Sequence, residues 1–241
     1  MTTHEFVAGW VAKRQPTRVL DYGCGAGQIV GLLRARGIEA WGCDVFYDGG
    51  SHARDVPLEL RPYIHAMAGD VIPFDSGAFD LVLSNQVFEH VPDMEVAVHE
   101  IARVLRPGGI ALNVFPDRGV WREGHCGIPF LHWFPKHSRV RLYYAATLRA
   151  LGMGYFKKDL SVMRWSRDFC EWLDKWTYYR SRREILERFN RLIGTTAHAE
   201  EDWLRARFDG KLDALPVALQ RLIVRKVAGV VLVSTCGPST A

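Results

Sequence analysis

The chain has 241 residues and a formal net charge of +4, with 48% hydrophobic and 24% charged residues. These values are typical of a soluble globular protein and exclude collagen-like and intrinsically disordered classes. Basic residues are spread along the chain and form no long basic tract, so we do not expect a nucleic-acid partner. One sizeable domain is expected, because two complete domains would be cramped at this length.

The first residues lack the basic and apolar regions of a secretory signal, and no uninterrupted apolar run approaches the ~18 residues of a membrane span. Five widely spaced cysteines without a CxxC pair favour neither a disulfide framework nor a zinc ribbon. We therefore expect a cytoplasmic protein without membrane insertion. The sequence leaves its oligomeric state open.

Thr2 and Glu5 have the spacing of a capping box and predict a short opening helix. Strand and helix patterns then alternate. Strands are predicted at 18–22, 39–43, 64–68, 80–84 and 110–115, with helices after Gly27 and over 94–105. The consecutive apolar residues of the fourth strand are typical of a parallel strand covered on both faces. This order predicts a doubly wound α/β sheet over residues 17–115.

Residues 116–226 interrupt this alternation with an aromatic and histidine-rich stretch. A helix is predicted from 138 to 151, a strand near 155–163, and mostly helical structure over 166–226. The β-branched run at 227–235 predicts a terminal strand. Within the helical segment lies a stripe that fits a buried helix face better than a lid over the substrate, namely Phe169, Trp172, Trp176 and Tyr179.

A glycine-rich turn, DYGCGAGQ at 21–28, follows the first predicted strand and precedes a helix. Glycines permit positive φ and close approach of a ligand, and the helix N-terminus offers free N–H groups. Asp44 ends the second strand 44 − 21 = 23 residues after Asp21, near the ~20-residue separation at which an acid binds ribose hydroxyls. Together these residues predict a nucleoside pocket.

The dinucleotide fingerprint GxGxxG is incomplete, because Gln28 occupies the position of its last glycine. Asp21 suits a ligand that carries an ammonium group, whereas a dinucleotide presents anionic phosphates there. An amino-acid-bearing nucleoside therefore fits better than a nicotinamide dinucleotide.

Three further segments, 69–74, 79–91 and 103–109, complete a pattern that resembles class I S-adenosylmethionine-dependent methyltransferases, particularly their small-molecule, ubiquinone-methyltransferase-like subgroup. The resemblance covers roughly residues 17–115. It implies a Rossmann-like seven-stranded sheet with an antiparallel last strand, for which 227–235 is the candidate. Residues 116–226 would then form a substrate-binding insertion and helical cap, with 227–236 as the final strand of a single domain.

The resemblance also implies S-adenosyl-L-methionine as cofactor. Asp70 is expected to hold the adenine amino group, and Asn85 and Gln86 are expected to border the sulfonium. The full set of predicted cofactor-binding residues is Asp21, Gly23, Gly25, Gly27, Asp44, Asp70, Val71, Asn85 and Gln86.

His125 is the first candidate for a general base, because its loop follows the fifth strand, where such sheets bind ligands. His90, after the fourth strand, is the second candidate. Both could instead serve structure, as a backbone-bonded loop residue and a helix cap. Four residues that could line the acceptor pocket are Trp121, Glu123, His132 and Trp133.

His125, Cys126 and His132 lack a recognised metal-ligand spacing, and no metal site is predicted. The expected activity is in-line methyl transfer to a small-molecule acceptor, an EC 2.1.1 type of reaction. A cofactor-binding partner protein without catalysis and, less favoured, a nicotinamide-dependent oxidoreductase are the alternatives. Oxygen, nitrogen and carbon acceptors all remain open.

Overall fold

A seven-stranded sheet with helices on both faces forms the centre of the protein, for which a computed structural model describes residues 1–50, 52–157 and 159–237. The strands are β1 Arg18–Tyr22, β2 Glu39–Asp44, β3 Ile64–Ala66, β4 Phe79–Asn85, β5 Leu105–Phe115, β6 Thr196–His198 and β7 Val230–Thr235. The helices are α1 Thr3–Ala12, α2 Gln28–Arg34, α3 Met94–Val104, α4 Arg139–Ala150, α5 Val162–Trp176, α6 Arg182–Leu192, α7 Glu200–Arg207 and α8 Val217–Val227. Among the described residues, no helix has the length and apolarity needed to cross a bilayer.

The strand order is β3-β2-β1-β4-β5-β7-β6, and β7 runs antiparallel to both of its neighbours. Phe115 pairs with Val230, and Ile110 pairs with Thr235. The predicted fold class and the antiparallel last strand are therefore confirmed. β7 begins three residues later than predicted, because α8 continues through Val227 and Gly229 turns the chain with φ of 102°.

Neighbouring residues of the central strands face opposite sides of the sheet, and each side carries its own core. Leu20 packs in a cluster with residues of α3 and α6. Val19, one position earlier, packs in a second cluster with residues of α1, α2, α7 and α8. Because both faces are covered, apolar residues are consecutive in these strands rather than alternating with polar ones.

The segment after β5 contributes a third apolar cluster, in which Trp165 of α5 is fully buried beside residues of α4. The strand predicted near 155–163 is wrong. Ser161 caps α5 at Val162, and the Tyr155 N–H donates to the carbonyl of Cys126 as part of a loop. β6 was not predicted, since three residues are too few for a recognisable pattern. The proposed boundaries of the insertion at 116 and 226 stay a prediction.

Leu20→Ala is expected to lower the free energy of unfolding by about 2–5 kcal/mol, because Leu20 is fully buried in the central strand and its loss leaves a cavity. Urea unfolding followed by tryptophan fluorescence measures this change. Leu58→Ala is the matched control, since Leu58 is 73% exposed, and its effect should stay within about 0.5 kcal/mol. Equal effects of the two substitutions would contradict the assigned core.

Candidate functional site

The turn between β1 and α2 requires glycine at three alternate positions. Gly23, Gly25 and Gly27 have φ of 72°, 54° and 80°. A Cβ on Gly23 would also lie 2.5 Å from a methyl carbon of Val87, so a side chain there would collide with the segment after β4. The turn thus brings bare backbone to the carboxyl edge of the sheet, where a ligand can approach closely.

Asp44 connects this turn to the end of β2. One carboxylate oxygen accepts a hydrogen bond from the Gly25 N–H at 2.8 Å, and the other accepts from the Phe46 N–H at 2.8 Å. The side chain is buried. These bonds fix the carboxylate at the wall of a cleft.

The cleft has a volume of about 480 Å³. Five of the predicted cofactor-binding residues line it, namely Gly23, Gly25, Asp44, Asp70 and Gln86. His90 also lines it. Sequence reasoning did not place Tyr47, Trp176 and Tyr178 there, although all three contribute to its wall. Trp176 was predicted only as part of a helix face, and the sequence carries no signal that this face ends at the cleft.

A smaller cavity of about 220 Å³ adjoins the cleft and shares Gly23 and Gly25 with it. Asp21 and Asn85 line this cavity. Burial, together with the charge of Asp44, raises the pKa of Asp21 well above its usual value. The Asn85 Oδ1 is buried and has no hydrogen-bond partner among the described residues. A ligand with a positive group would stabilise the ionised form of Asp21 and would supply a donor to the Asn85 Oδ1.

A larger cavity of about 850 Å³ lies beyond β5, and Gln86 lines both it and the cleft. We call it the second cavity. Its wall includes His125 and Gly124 from the loop after β5, together with α7 and α8. Apolar side chains dominate this wall, among them Val114, Val120, Trp203, Leu204, Phe208, Ile223 and Val227. Arg122 and Arg207 add positive charge.

Glu123, His125 and His90 form a hydrogen-bonded row between the second cavity and the cleft. The Glu123 carboxylate lies 2.6 Å from His125 Nδ1 and also accepts from the Tyr179 hydroxyl at 2.6 Å and the Cys126 N–H at 2.7 Å. The two histidine Nε2 atoms are 3.1 Å apart. His90 Nδ1 lies 2.8 Å from the carbonyl of Trp176, and a carbonyl only accepts, so this nitrogen carries a hydrogen.

The environment shifts each of these groups. Burial alone would raise the pKa of Glu123. The hydrogen bond with His125, the charge of His125 and the hydrogen bond from Tyr179 together have the larger effect and lower the pKa to about 2. Burial alone would lower the pKa of His125. The hydrogen bond and charge of the Glu123 carboxylate outweigh burial, so the pKa of His125 is above its usual value. Burial lowers the pKa of His90 to about 4. Neighbouring Glu89 is buried with both carboxylate oxygens unpartnered among the described residues, and burial raises its pKa to about 7.

The remaining predicted residues line none of these three cavities. Gly27 is the N-cap of α2, and Val71 is 58% exposed beyond β3. Of the four residues suggested for the acceptor pocket, Trp121 and Trp133 are largely exposed, and His132 is buried against the ring of Tyr179. The fourth, Glu123, is fully buried and reaches the second cavity only through His125. The glycine turn, Asp21, Asp44 and Asp70 thus lie together at the carboxyl edge of the sheet. Trp121 and Trp133 of the loop after β5 lie outside the three cavities.

Comparison with known proteins agrees with this arrangement. A family model described as a methyltransferase domain matches residues 20–113, from β1 through most of β5. The strand order is that of the class I methyltransferase fold, and residues 20–113 are the part of the chain that is similar to a methyltransferase domain. The matched residues include the glycine turn, Asp44, Asp70 and Gln86, and S-adenosylmethionine is the methyl donor of this family.

Two curated relatives match less than half of the chain. A ubiquinone biosynthesis O-methyltransferase from Alkalilimnicola ehrlichii is 33% identical over 108 residues, which span 44% of each chain. A malonyl-[acyl-carrier protein] O-methyltransferase from Salmonella typhimurium is 36% identical over 99 residues, covering 40% of this chain and 38% of the relative. The match thus spans less than half the length of either relative.

A solved structure resembles the methyltransferase fold over nearly the whole chain. It is the methyltransferase in the complex with the Trm112 methyltransferase activator of Haloferax volcanii, with a TM-score of 0.53 and 19% identity over 98% of this chain and 90% of that one. At this identity the similarity concerns the fold alone.

The cleft and the small cavity contain groups of the kind that S-adenosylmethionine requires. The Asp44 carboxylate in the cleft is an acceptor of the kind that ribose hydroxyls require. The adjoining small cavity contains Asp21 and the Asn85 Oδ1, which has no hydrogen-bond partner among the described residues, and both suit an ammonium group. Gly23 and Gly25, which line both spaces, would help to hold the cofactor. When bound, this cofactor supplies a methyl group activated by a sulfonium.

Asp44→Asn is expected to weaken S-adenosylmethionine binding roughly tenfold or more, since one charge-assisted hydrogen bond contributes about 1.5–3 kcal/mol. Asparagine keeps one acceptor oxygen for the turn, which limits disturbance of the loop. Isothermal titration calorimetry measures the affinity. Asp48→Asn is the control, because Asp48 is exposed, lies four residues away and lines none of the cavities. Unchanged binding in Asp44→Asn would show that the ribose lies elsewhere.

Proposed function

We propose that the chain transfers the methyl group of S-adenosylmethionine to a small-molecule acceptor held in the second cavity. The observation that carries this proposal is the position of Gln86. It follows β4 with a φ of 58°, and its N–H donates to the carbonyl of Val114 at the end of β5. From there Gln86 lines the cleft on one side and the second cavity on the other, so the two spaces meet at one residue.

The walls of the second cavity favour an acceptor with an apolar body and an anionic group. Val114, Val120 and Leu204 are buried apolar side chains, whereas the nearby Arg122 and Arg207 are exposed cations. Apolar surface supplies most of the affinity of such a cavity, and a few charged groups orient the ligand. Both curated relatives bear the name O-methyltransferase, which supports an oxygen acceptor.

His125 borders the acceptor space but is not free to accept a proton in the present arrangement. Its Nδ1 faces an ionised carboxylate, and its Nε2 faces His90. A base role would require the bond between the two histidines to open first. We therefore propose that positioning, rather than proton abstraction by an unbound imidazole, is the main contribution of the chain to the reaction.

Turnover tests the proposed activity. The chain is incubated with S-adenosylmethionine and with panels of phenols, carboxylic acids and amines that carry an apolar group, and S-adenosylhomocysteine and the methylated product are measured by mass spectrometry. We expect product from an oxygen acceptor. Cofactor binding without turnover on any acceptor would favour the non-catalytic partner, and preferential binding of a nicotinamide dinucleotide would favour the oxidoreductase.

Gly124→Phe tests whether the acceptor occupies the second cavity. No heavy atom lies within 4 Å of a Cβ built on Gly124, so the new ring would fill the cavity at little cost to the fold. We expect acceptor turnover to fall at least roughly tenfold, the effect of losing about 1.4 kcal/mol of binding, with unchanged cofactor affinity.

Gly9→Phe provides the matched control for this blocking variant, because Gly9 has the same open space and lines none of the cavities. Its turnover should equal that of the unmodified chain. If Gly124→Phe also retains full turnover, the acceptor binds outside the second cavity.

A further inference from the structure

Glu89, His90 and His125 bring three potential metal-ligand atoms together at the junction of the cleft and the second cavity. One donor atom from each residue lies within 4.8 Å of both others. Glu89 and His90 lie in the segment that follows β4, and His125 lies in the loop that follows β5. The parallel pairing of these two strands explains why residues far apart in sequence meet here.

The distance between the two histidines suits a shared ion. Nitrogen ligands lie about 2.0–2.1 Å from a transition-metal ion, and two of them at angles of 90° to 109° are separated by about 2.8–3.4 Å. The observed separation of the two Nε2 atoms is 3.1 Å. The Glu89 carboxylate lies within 4.8 Å of both nitrogens and would have to move closer to bind the same ion.

The other nitrogen of each histidine is already held in the way that metal-binding histidines require. His125 Nδ1 lies against the Glu123 carboxylate, which the Tyr179 hydroxyl and the Cys126 N–H fix in turn. His90 Nδ1 lies against the carbonyl of Trp176. Such partners fix the tautomer and leave Nε2 free to bind a metal.

Glu89 supplies the independent observation. Its side chain is 1% exposed, and neither carboxylate oxygen has a hydrogen-bond partner among the described residues. A buried carboxylate without a partner is costly unless a cation compensates it. A proton shared between the histidines would satisfy the two Nε2 atoms, and protonation would neutralise Glu89, but neither would give the Glu89 carboxyl group a partner, whereas a metal ion would bind all three groups.

We propose that Glu89, His90 and His125 bind one divalent first-row transition-metal ion, with Zn²⁺ and Co²⁺ as suitable probes. Two imidazoles and one carboxylate favour such ions over Mg²⁺, which prefers oxygen ligands. The sequence led to the opposite expectation, because the ligands considered there were His125, Cys126 and His132. Of that set only His125 belongs to the cluster.

The ion would lie between His90, which lines the cleft, and His125, which lines the second cavity. An acceptor oxygen in the second cavity would then take a free coordination position. This catalytic role rests on the proposed function, whereas the binding of the ion does not.

Metal titration of the tag-free, chelator-treated chain tests the site without cofactor or acceptor. Zn²⁺ is followed by calorimetry, Co²⁺ by its visible absorption, and Mg²⁺ serves as the hard-ion comparison. We expect one Zn²⁺ or Co²⁺ per chain and much weaker Mg²⁺ binding. No stoichiometric binding, or equal affinity for Mg²⁺, would overturn the proposal and leave a proton-sharing histidine pair.

Variants assign the ligands. Glu123→Gln, which weakens the support of His125 without removing a proposed ligand, should weaken Zn²⁺ binding about 10–100-fold, and Glu89→Gln and His125→Ala should weaken it further. Thermal unfolding of each variant confirms that it is folded, and two separate ligand variants protect the test against failure of one. His99→Ala removes an exposed histidine of α3 and should bind Zn²⁺ as the unmodified chain does. Unchanged affinity in both Glu89→Gln and His125→Ala would refute the site.

Metal binding and methyl transfer can fail separately. Stoichiometric Zn²⁺ with no turnover on any acceptor would leave the site intact and remove the proposed function. Turnover by a chain that binds no metal would do the reverse. If both hold, adding Zn²⁺ to the metal-free chain should raise turnover while the affinity for S-adenosylmethionine, measured by calorimetry, stays within about twofold.

Discussion

The arrangement of the site depends on the parallel pairing of β1, β2, β4 and β5, because it collects the carboxyl ends of four strands at one edge. Each strand ends in a short polar or glycine-rich segment there. The hydrogen bond from the Gly25 N–H to Asp44 then joins two of these ends directly. Without this pairing, Gly25 and Asp44, which are 19 residues apart in the chain, would not be held together.

Sequence patterns could predict most of this framework. The turn at 21–28 needs positive φ angles, room for close approach of a ligand and the start of a helix. Each of these requirements favours particular residue types, glycine above all, and can therefore be recognised in the sequence. Consecutive apolar residues in β4 indicated burial on both faces, and the sheet has that burial. The short β6 escaped detection because three residues carry no periodicity, and its pairing is supplied entirely by β7.

The second half of the site could not be predicted in the same way. Trp176 reaches the cleft because α5 ends beside the loop after β2, and helical periodicity says only that Trp176 lies on the same helix face as Trp172. Glu123 was predicted to line the acceptor pocket, but its side chain is buried behind His125. Such roles depend on tertiary packing, which a single sequence does not encode in local preferences.

Trp176 joins two parts of the molecule that are otherwise described separately. Its ring packs against Tyr47 at a centroid distance of 4.8 Å in the wall of the cleft, while its carbonyl fixes the imidazole of His90. A ligand that moves the backbone at Trp176 through contact with the ring would therefore also change the orientation of His90. By thermodynamic linkage, such an effect is reciprocal. If a ligand in the cleft changes the affinity of the two histidines for an ion by some factor, the bound ion changes the affinity of the cleft for its ligand by the same factor.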